Sequence, residues 1–250
     1  MARLHRDLLA VMIDQLASGV YPPGSPLPRE VDLAERFEVS RGVVRECLRA
    51  LEERDLIKVK HGRGATVQPE SAWNVLDPDV LRALLASQAG GDVLREYVEC
   101  RRGLEVEAAG LAAVRATDDH IARLREALDE MTQAAKGVRE AEAGGAGGLP
   151  DAEEQFHRAD IRFHQAVADA AGNRALAHML RPLDQALLIA RLPLARPQAR
   201  ERRGIPEHQR ILNAIAAGDA AAAGRAMGAH LKTVEGYLDE YLAGRRTVLR

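Results

Sequence analysis

Aromatic residues are scarce here: one Trp, four Tyr and three Phe make up 3% of 250 residues. Alanine-rich runs such as AAVRA and AIAAGDAAAAGRA take their place, a composition that suits closely packed helices better than sheets. Cysteine is rarer still. Cys47 and Cys100 lie far apart without a C-x-x-C spacing, and each falls inside a helical pattern, so both read as reduced, buried thiols rather than a disulfide or a metal pair. No apolar run approaches the ~20 residues of a membrane span. The N-terminal MARLHRDLLAVMIDQLASG also lacks the small-residue cleavage pattern of a signal peptide, so a cytoplasmic location with no membrane partner is expected. Charge of one sign is missing too: a formal net charge of -2 argues against a protein that coats nucleic acid regardless of sequence. G-x-S-x-G, phosphate-loop, dinucleotide and H-E-x-x-H patterns are absent, and GGAGG in the 140s stands outside any strand-turn-helix context, which removes the common routes to an enzyme.

What is present is uneven along the chain. The stretch from Val39 to Val67, VSRGVVRECLRALEERDLIKVKHGRGATV, sets seven basic residues against four acidic ones. Before it, Leu4, Leu8, Met12 and Leu16 recur at helical spacing until Gly19 and Pro22-Pro23-Gly24 stop them. A turn-rich link, YPPGSPLP, leads to a short helix over Glu30 to Phe37 with Leu33, Ala34 and Phe37 as its apolar face. Ser40 is a good N-cap for a third helix, in which Val44, Cys47, Leu48 and Leu51 form one buried face and Arg41, Arg45 and Arg49 recur on another. After Asp55 the period changes to two: Ile57 and Val59 alternate with Lys58 and Lys60, His61-Gly62-Arg63-Gly64 makes a turn, and Ala65 to Val67 returns. Three helices and a hairpin in that order make a winged helix-turn-helix.

A helix that buries one face and displays arginines on the other can enter a DNA major groove, where arginine reads guanine edges, while the wing turn reaches the adjacent minor groove or backbone. The alternative is a solvated helix whose arginines pair with Glu46, Glu52 and Glu53. The motifs decide in favour of DNA. The PG-x-x-LP lead-in, the VSR turn, the VRE-x-L-R-x-L helix and the HGRG wing occur together in order, and this segment resembles the DNA-binding domain of GntR-type bacterial regulators. The resemblance implies operator contacts by Ser40, Arg41, Arg45, His61 and Gly62, with Arg49 and Arg63 alongside them. Position 31, often arginine in that family, is Val31 here, which removes one expected base contact and leaves Arg29 as the neighbouring candidate.

Periodicity lapses over QPESAWNVLDP and resumes as about six helices running almost to the C-terminus. The expected organisation is a DNA-binding domain over 1–70, a linker over 71–90 and an all-α bundle over 91–245, a mostly α chain. In the bundle, DIRFH places Asp160 and His164 at i,i+4, a spacing that lets both side chains reach one cation. His208 in PEHQRILNAI and His230 in MGAHLKTV can project inward at the same level. This arrangement resembles the FCD ligand-binding domain of FadR-type GntR regulators, whose bundle commonly holds a metal on an aspartate and three histidines. Carried over, the ligands are Asp160, His164, His208 and His230, with His157 as a rival that can instead line the cavity. Zn, Ni, Mn and Fe all suit such a donor set, with Zn preferred.

The same resemblance picks out Glu99, Arg101, Leu104 and Glu105 as an E-x-R-x-x-L-E pattern, and makes Arg101 the candidate anchor for an effector carboxylate. The competing reading pairs Arg101 with Glu105 inside one helix. WNVLDPDVL is similar to the corresponding segment of repressors of galactonate and related sugar-acid catabolism, which implies a sugar acid as effector. The expectation is a homodimeric, ligand-responsive repressor of a catabolic operon on a palindromic operator. A metal-dependent hydrolase fused to a DNA-binding domain is the alternative.

Overall fold

A computed structural model describes residues 2–60, 64–143, 149–189 and 203–248 and divides the chain into two compact units, one through Val93 and one from Leu94. The first unit opens with helix α1 (Ala2–Ala17), which buries Leu8, Leu9, Met12, Ile13 and Leu16 and leaves Leu4 exposed. Gly19, at φ 77, ends it in a conformation that glycine adopts without strain. Helices α2 (Glu30–Arg36) and α3 (Arg41–Glu52) follow, joined by a turn in which Glu38 takes φ 52. Ser40 caps α3 through its side chain, which accepts from Val43 N–H at 3.3 Å. Val44, Cys47 and Leu51 pack inward, so the third helix buries the face that its 3.6-residue period predicts.

Strands β1 (Ile57–Lys60) and β2 (Gly64–Val67) pair antiparallel with Ile57 opposite Val67 and Lys60 opposite Gly64. The proline-rich link before α2 is more than a turn: Leu27 N–H donates to Ala65 O and Val67 N–H to Ser25 O, each at 2.9 Å, so it lies along the free edge of β2. This covers an edge that would otherwise present unpaired backbone groups.

The stretch expected as a linker is instead part of this unit. A 3₁₀ turn (Glu70–Ala72) brings Trp73 to 5% exposure, with its indole N–H donating to Gln68 O at 3.0 Å. Asp77 then caps α4 (Pro78–Ala86), accepting from Asp79 N–H at 3.0 Å, while Arg54 reaches the same carboxylate at 3.1 Å. Val80, Ala83 and Leu84 of α4 join the core built on α1 and α3. Burial of these side chains and of Trp73 supplies the reason: each withdraws apolar surface that a free linker leaves in water.

Six helices make the second unit among the described residues: α5 (Gly90–Arg115), α6 (Asp118–Ala143), α7 (Leu149–Ala170), α8 (Arg174–Ile189), α9 (Ile205–Ala216) and α10 (Ala220–Val248). Asn173 caps α8, as its Oδ1 accepts from Leu176 N–H at 3.2 Å. α5 and α10 pack with glycines at the contact: a Cβ on Gly224 would lie 3.5 Å from the Val106 carbonyl, and one on Gly228 3.5 Å from a Val106 methyl, both ordinary van der Waals distances. Arg102–Glu235 at 2.7 Å and Arg95–Asp239 at 3.0 Å tie the same two helices at their rim. Cys47 is buried as expected, but Cys100 is exposed: α5 turns Val98, Arg101 and Glu105 inward, and Cys100 falls on the outer side.

Candidate functional site

The arginine face of α3 is solvent-exposed at Arg41, Arg45 and Arg49. Two of the three are held by carboxylates: Arg45 Nε lies 2.7 Å from Glu30 on α2, and Arg49 Nε 3.2 Å from Glu53 one turn on. Arg29, at the start of α2, donates to Asp32 through Nε at 3.0 Å and Nη2 at 3.1 Å. Lys58 and Lys60 project from β1 into solvent. The expected wing contacts His61, Gly62 and Arg63 lie outside the described residues.

In the second unit, Asp160 and His164 on α7 meet His208 on α9 and His230 on α10, with one ligating atom from each within 4.8 Å of all the others. The three imidazoles are buried, at 2%, 1% and 5% exposure. Phe163 packs edge-on against His208 with ring centroids 4.8 Å apart. Every Nδ1 has an acceptor: Glu105 for His164, the Gly204 carbonyl at 2.7 Å for His208, and Glu207 at 3.0 Å for His230. A carbonyl or an ionised carboxylate can only accept, so each Nδ1 carries a proton, which leaves Nε2 as the atom each ring can offer a cation. Burial, the largest influence on both groups, pushes the His164 pKa below its ordinary value and that of His230 to about 4, which keeps these rings neutral.

The consequence is an electron-rich knot. His208 Nε2 stands 3.3 Å from His164 Nε2 and 3.2 Å from Asp160 Oδ1. Such a cluster is stable around a cation, and one carboxylate with three imidazoles is a donor set for a divalent transition metal. The residues therefore fit the ion that the sequence resemblance implies. Their outer partners fix the tautomers, as a metal site requires.

Beside the cluster lies a cavity of about 50 Å³, lined by Arg101, His157, Asp160, His208, His230, Thr233 and Tyr237 among others. His157 is on its wall and outside the four-ligand group. Arg101 is 2% exposed: its Nε pairs with Glu105 in its own helix while the side chain lines the cavity. Asp184 of α8 flanks it at 3.6 Å. Its Nη2, and the Tyr237 hydroxyl, have no hydrogen-bond partner among the described residues. Burial opposes the Arg101 charge, yet Glu105, Asp184 and Asp160 together carry its pKa above the ordinary value. Asp184 is the opposite case, with burial raising it to about 7 against the pull of Arg101.

Glu207, Gly204, Asp184, Thr233 and Tyr237 are the site residues that sequence reasoning missed. Glu207 had the one usable signal, its place next to His208; a backbone carbonyl such as that of Gly204 leaves none.

A winged helix with an arginine face, in one chain with a helical bundle that encloses a cluster of three histidines and an aspartate beside a cavity, defines a class: DNA-binding regulators that respond to a small molecule. Residues 6–67 match the gntR family of bacterial regulatory proteins, and residues 96–233 match the FCD domain. The chain belongs to the GntR family, with an FCD domain as its C-terminal unit. It is a ligand-responsive transcriptional regulator that binds operator DNA, and the hydrolase alternative is set aside because the family consists of regulators, not enzymes. The chain is 38% identical over 165 residues, 66% of each chain, to the galactonate operon transcriptional repressor of Escherichia coli K12. Identity to the HTH-type transcriptional regulator LutR of Bacillus subtilis is 35%, over 90% of this chain and 97% of that one. The Uxu operon transcriptional regulator of Escherichia coli K12 is 30% identical over 96% of this chain and 88% of its own. Among solved structures, Lar of Listeria monocytogenes superposes with a TM-score of 0.60 at 16% identity, covering 94% of this chain and 96% of its own, a likeness of fold alone. No helix among the described residues is long and apolar enough to cross a membrane.

Proposed function

We propose that this regulator is a cytoplasmic homodimeric repressor of a catabolic operon. In this reading its FCD unit holds one divalent metal ion, Zn²⁺ by preference, on Asp160, His164, His208 and His230, and senses a small carboxylate anchored by Arg101. Ser40, Arg41, Arg45 and Arg49 contact the operator, with Arg29 and the wing residues His61, Gly62 and Arg63 beside them. The observation that carries the metal reading is the set of three Nδ1 acceptors, which leaves the Nε2 atoms of three imidazoles to share one site with a carboxylate. When bound, the ion supplies a Lewis-acidic centre with coordination positions open to an oxygen ligand.

Arg101 adds a guanidinium whose Nη2 is still without a partner among the described residues, and a carboxylate matches that donor. A sugar acid is the first choice of effector because the galactonate and Uxu operon regulators are among the relatives. Such an effector couples to DNA to the extent that it prefers one arrangement of the bundle over the other.

Metal analysis of purified protein tests the reading: about one ion per chain is expected, and His208→Ala with His230→Ala should abolish it. Full occupancy in that double variant removes the ligand assignment.

A further inference from the structure

Glu105 stands between the two halves of this site. It is 1% exposed in the middle of α5, and both of its oxygens are in use: Oε1 accepts from Arg101 Nε, and Oε2 from His164 Nδ1. We propose that Glu105 is a positioning residue that sets the metal-facing imidazole of His164 and the effector-facing guanidinium of Arg101 with one carboxylate, so that metal and effector affinity depend on each other through it. This rests on the metal and Arg101 assignments proposed above.

The chemistry requires a carboxylate. Both neighbours of Glu105 are donors, and only an ionised carboxylate offers an acceptor to each with no donor of its own. A glutamine of the same shape offers one acceptor oxygen and one NH₂ group, so a donor must face either the guanidinium or the imidazole. If the imidazole gives way, His164 turns or changes tautomer and its Nε2 is lost as a ligand. If the guanidinium gives way, Arg101 is driven toward Asp184, its other anionic neighbour at 3.6 Å, and away from the cavity. The sharing also has a direction. An effector that draws Arg101 off Glu105 leaves that carboxylate with one donor instead of two, so it accepts more strongly from His164 and makes the ring a better ligand. Metal and effector then reinforce each other, and by linkage the reinforcement is equal both ways.

Asp184 supplies the control. It is as buried as Glu105 and lies 3.6 Å from the Arg101 guanidinium, but no hydrogen bond or ion pair joins it to a proposed metal ligand among the described residues. The experiment measures Zn²⁺ affinity of the full-length chain by competition with a chromophoric chelator, with helical content recorded for each variant. Glu105→Gln is expected to lose roughly 10- to 100-fold in Zn²⁺ affinity, the range for removing an outer partner of a ligating histidine. Asp184→Asn should stay within about threefold of the parent, far below that range. Should Glu105→Gln fail to fold, Glu105→Asp keeps the charge but is one methylene too short to span both donors, and it too should lose at least about fivefold. Parent-like affinity in the folded glutamate variant, or an equal loss in Asp184→Asn, overturns the proposal, the second because it makes the effect one of charge alone. A parent chain that binds no Zn²⁺ fails differently, since it removes the metal reading itself and Glu105's role with it.

Discussion

Arg45→Ala separates recognition from scaffolding. The Arg45 side chain is 66% exposed and its partner Glu30 41% exposed, with 2.7 Å between Nε and the carboxylate. A pair so open to solvent contributes about 0 to 1 kcal/mol, so the variant's unfolding free energy should fall by no more than that. A lost base-edge contact costs about 1 to 3 kcal/mol, or roughly 5- to 150-fold in affinity. The two effects differ enough to be told apart in one variant. The Glu30 pair also fixes Nε and leaves the terminal nitrogens for a base, so the guanidinium is already oriented before DNA arrives. The assay is filter binding to a duplex that the protein selects from a random pool, and to a scrambled duplex, from about 50 to 200 mM salt. Loss confined to the selected duplex is expected. Equal loss on both, with the salt slope reduced by about one, would make Arg45 a phosphate contact and refute the reasoning.

Two further outcomes follow from burial. Cys47 is 2% exposed and desolvation pushes its pKa to about 12, whereas Cys100 is exposed, so a thiol reagent should titrate one cysteine in the native protein and the second only on unfolding. Two rapidly reacting thiols would contradict the packing of α3. In metal-free protein, burial pushes the His230 pKa down to about 4 from its ordinary value of 6.5, so the unfolded chain binds more protons between those values. Its contribution, up to about 3 kcal/mol, is complete above the upper value and lost as pH falls toward the lower one. Urea midpoints measured from about pH 7 to 4.5 should therefore decline in the parent and flatten in His230→Asn.

The N-terminal unit was largely legible because its signals are local. Ser40 stands just ahead of Val44, Cys47, Leu48 and Leu51, and the switch to a period of two at Ile57 announces the hairpin. Burial of Trp73 and α4 was not legible: QPESAWNVLDP carries no helical or strand period, and nothing in the chain says which surface it meets. Cys100 was misjudged for a physical reason. α5 buries Arg101 and Glu105 along with Val98, Ala108 and Ala112, so polar residues lie on its inner face and the usual apolar stripe fails as a guide. Asp160 and His164 were visible as a pair by spacing, while the level at which His208 and His230 join them is a tertiary fact that came from family resemblance. Glu105 was read as a helical partner of Arg101, yet its second contact, to His164, spans 59 residues and has no sequence signature.

The buried indole of Trp73 has a practical consequence, because it is the one tryptophan in the chain. Its emission is an intrinsic optical label on the operator-reading unit. Far-ultraviolet circular dichroism, in contrast, is weighted toward the long helices of the effector unit. Melting the protein under both signals, with and without chelator, therefore asks each unit separately how it responds to the chelator. A shift in circular dichroism with no change in tryptophan emission would mean that the two units melt independently, and a shared shift that they unfold as one.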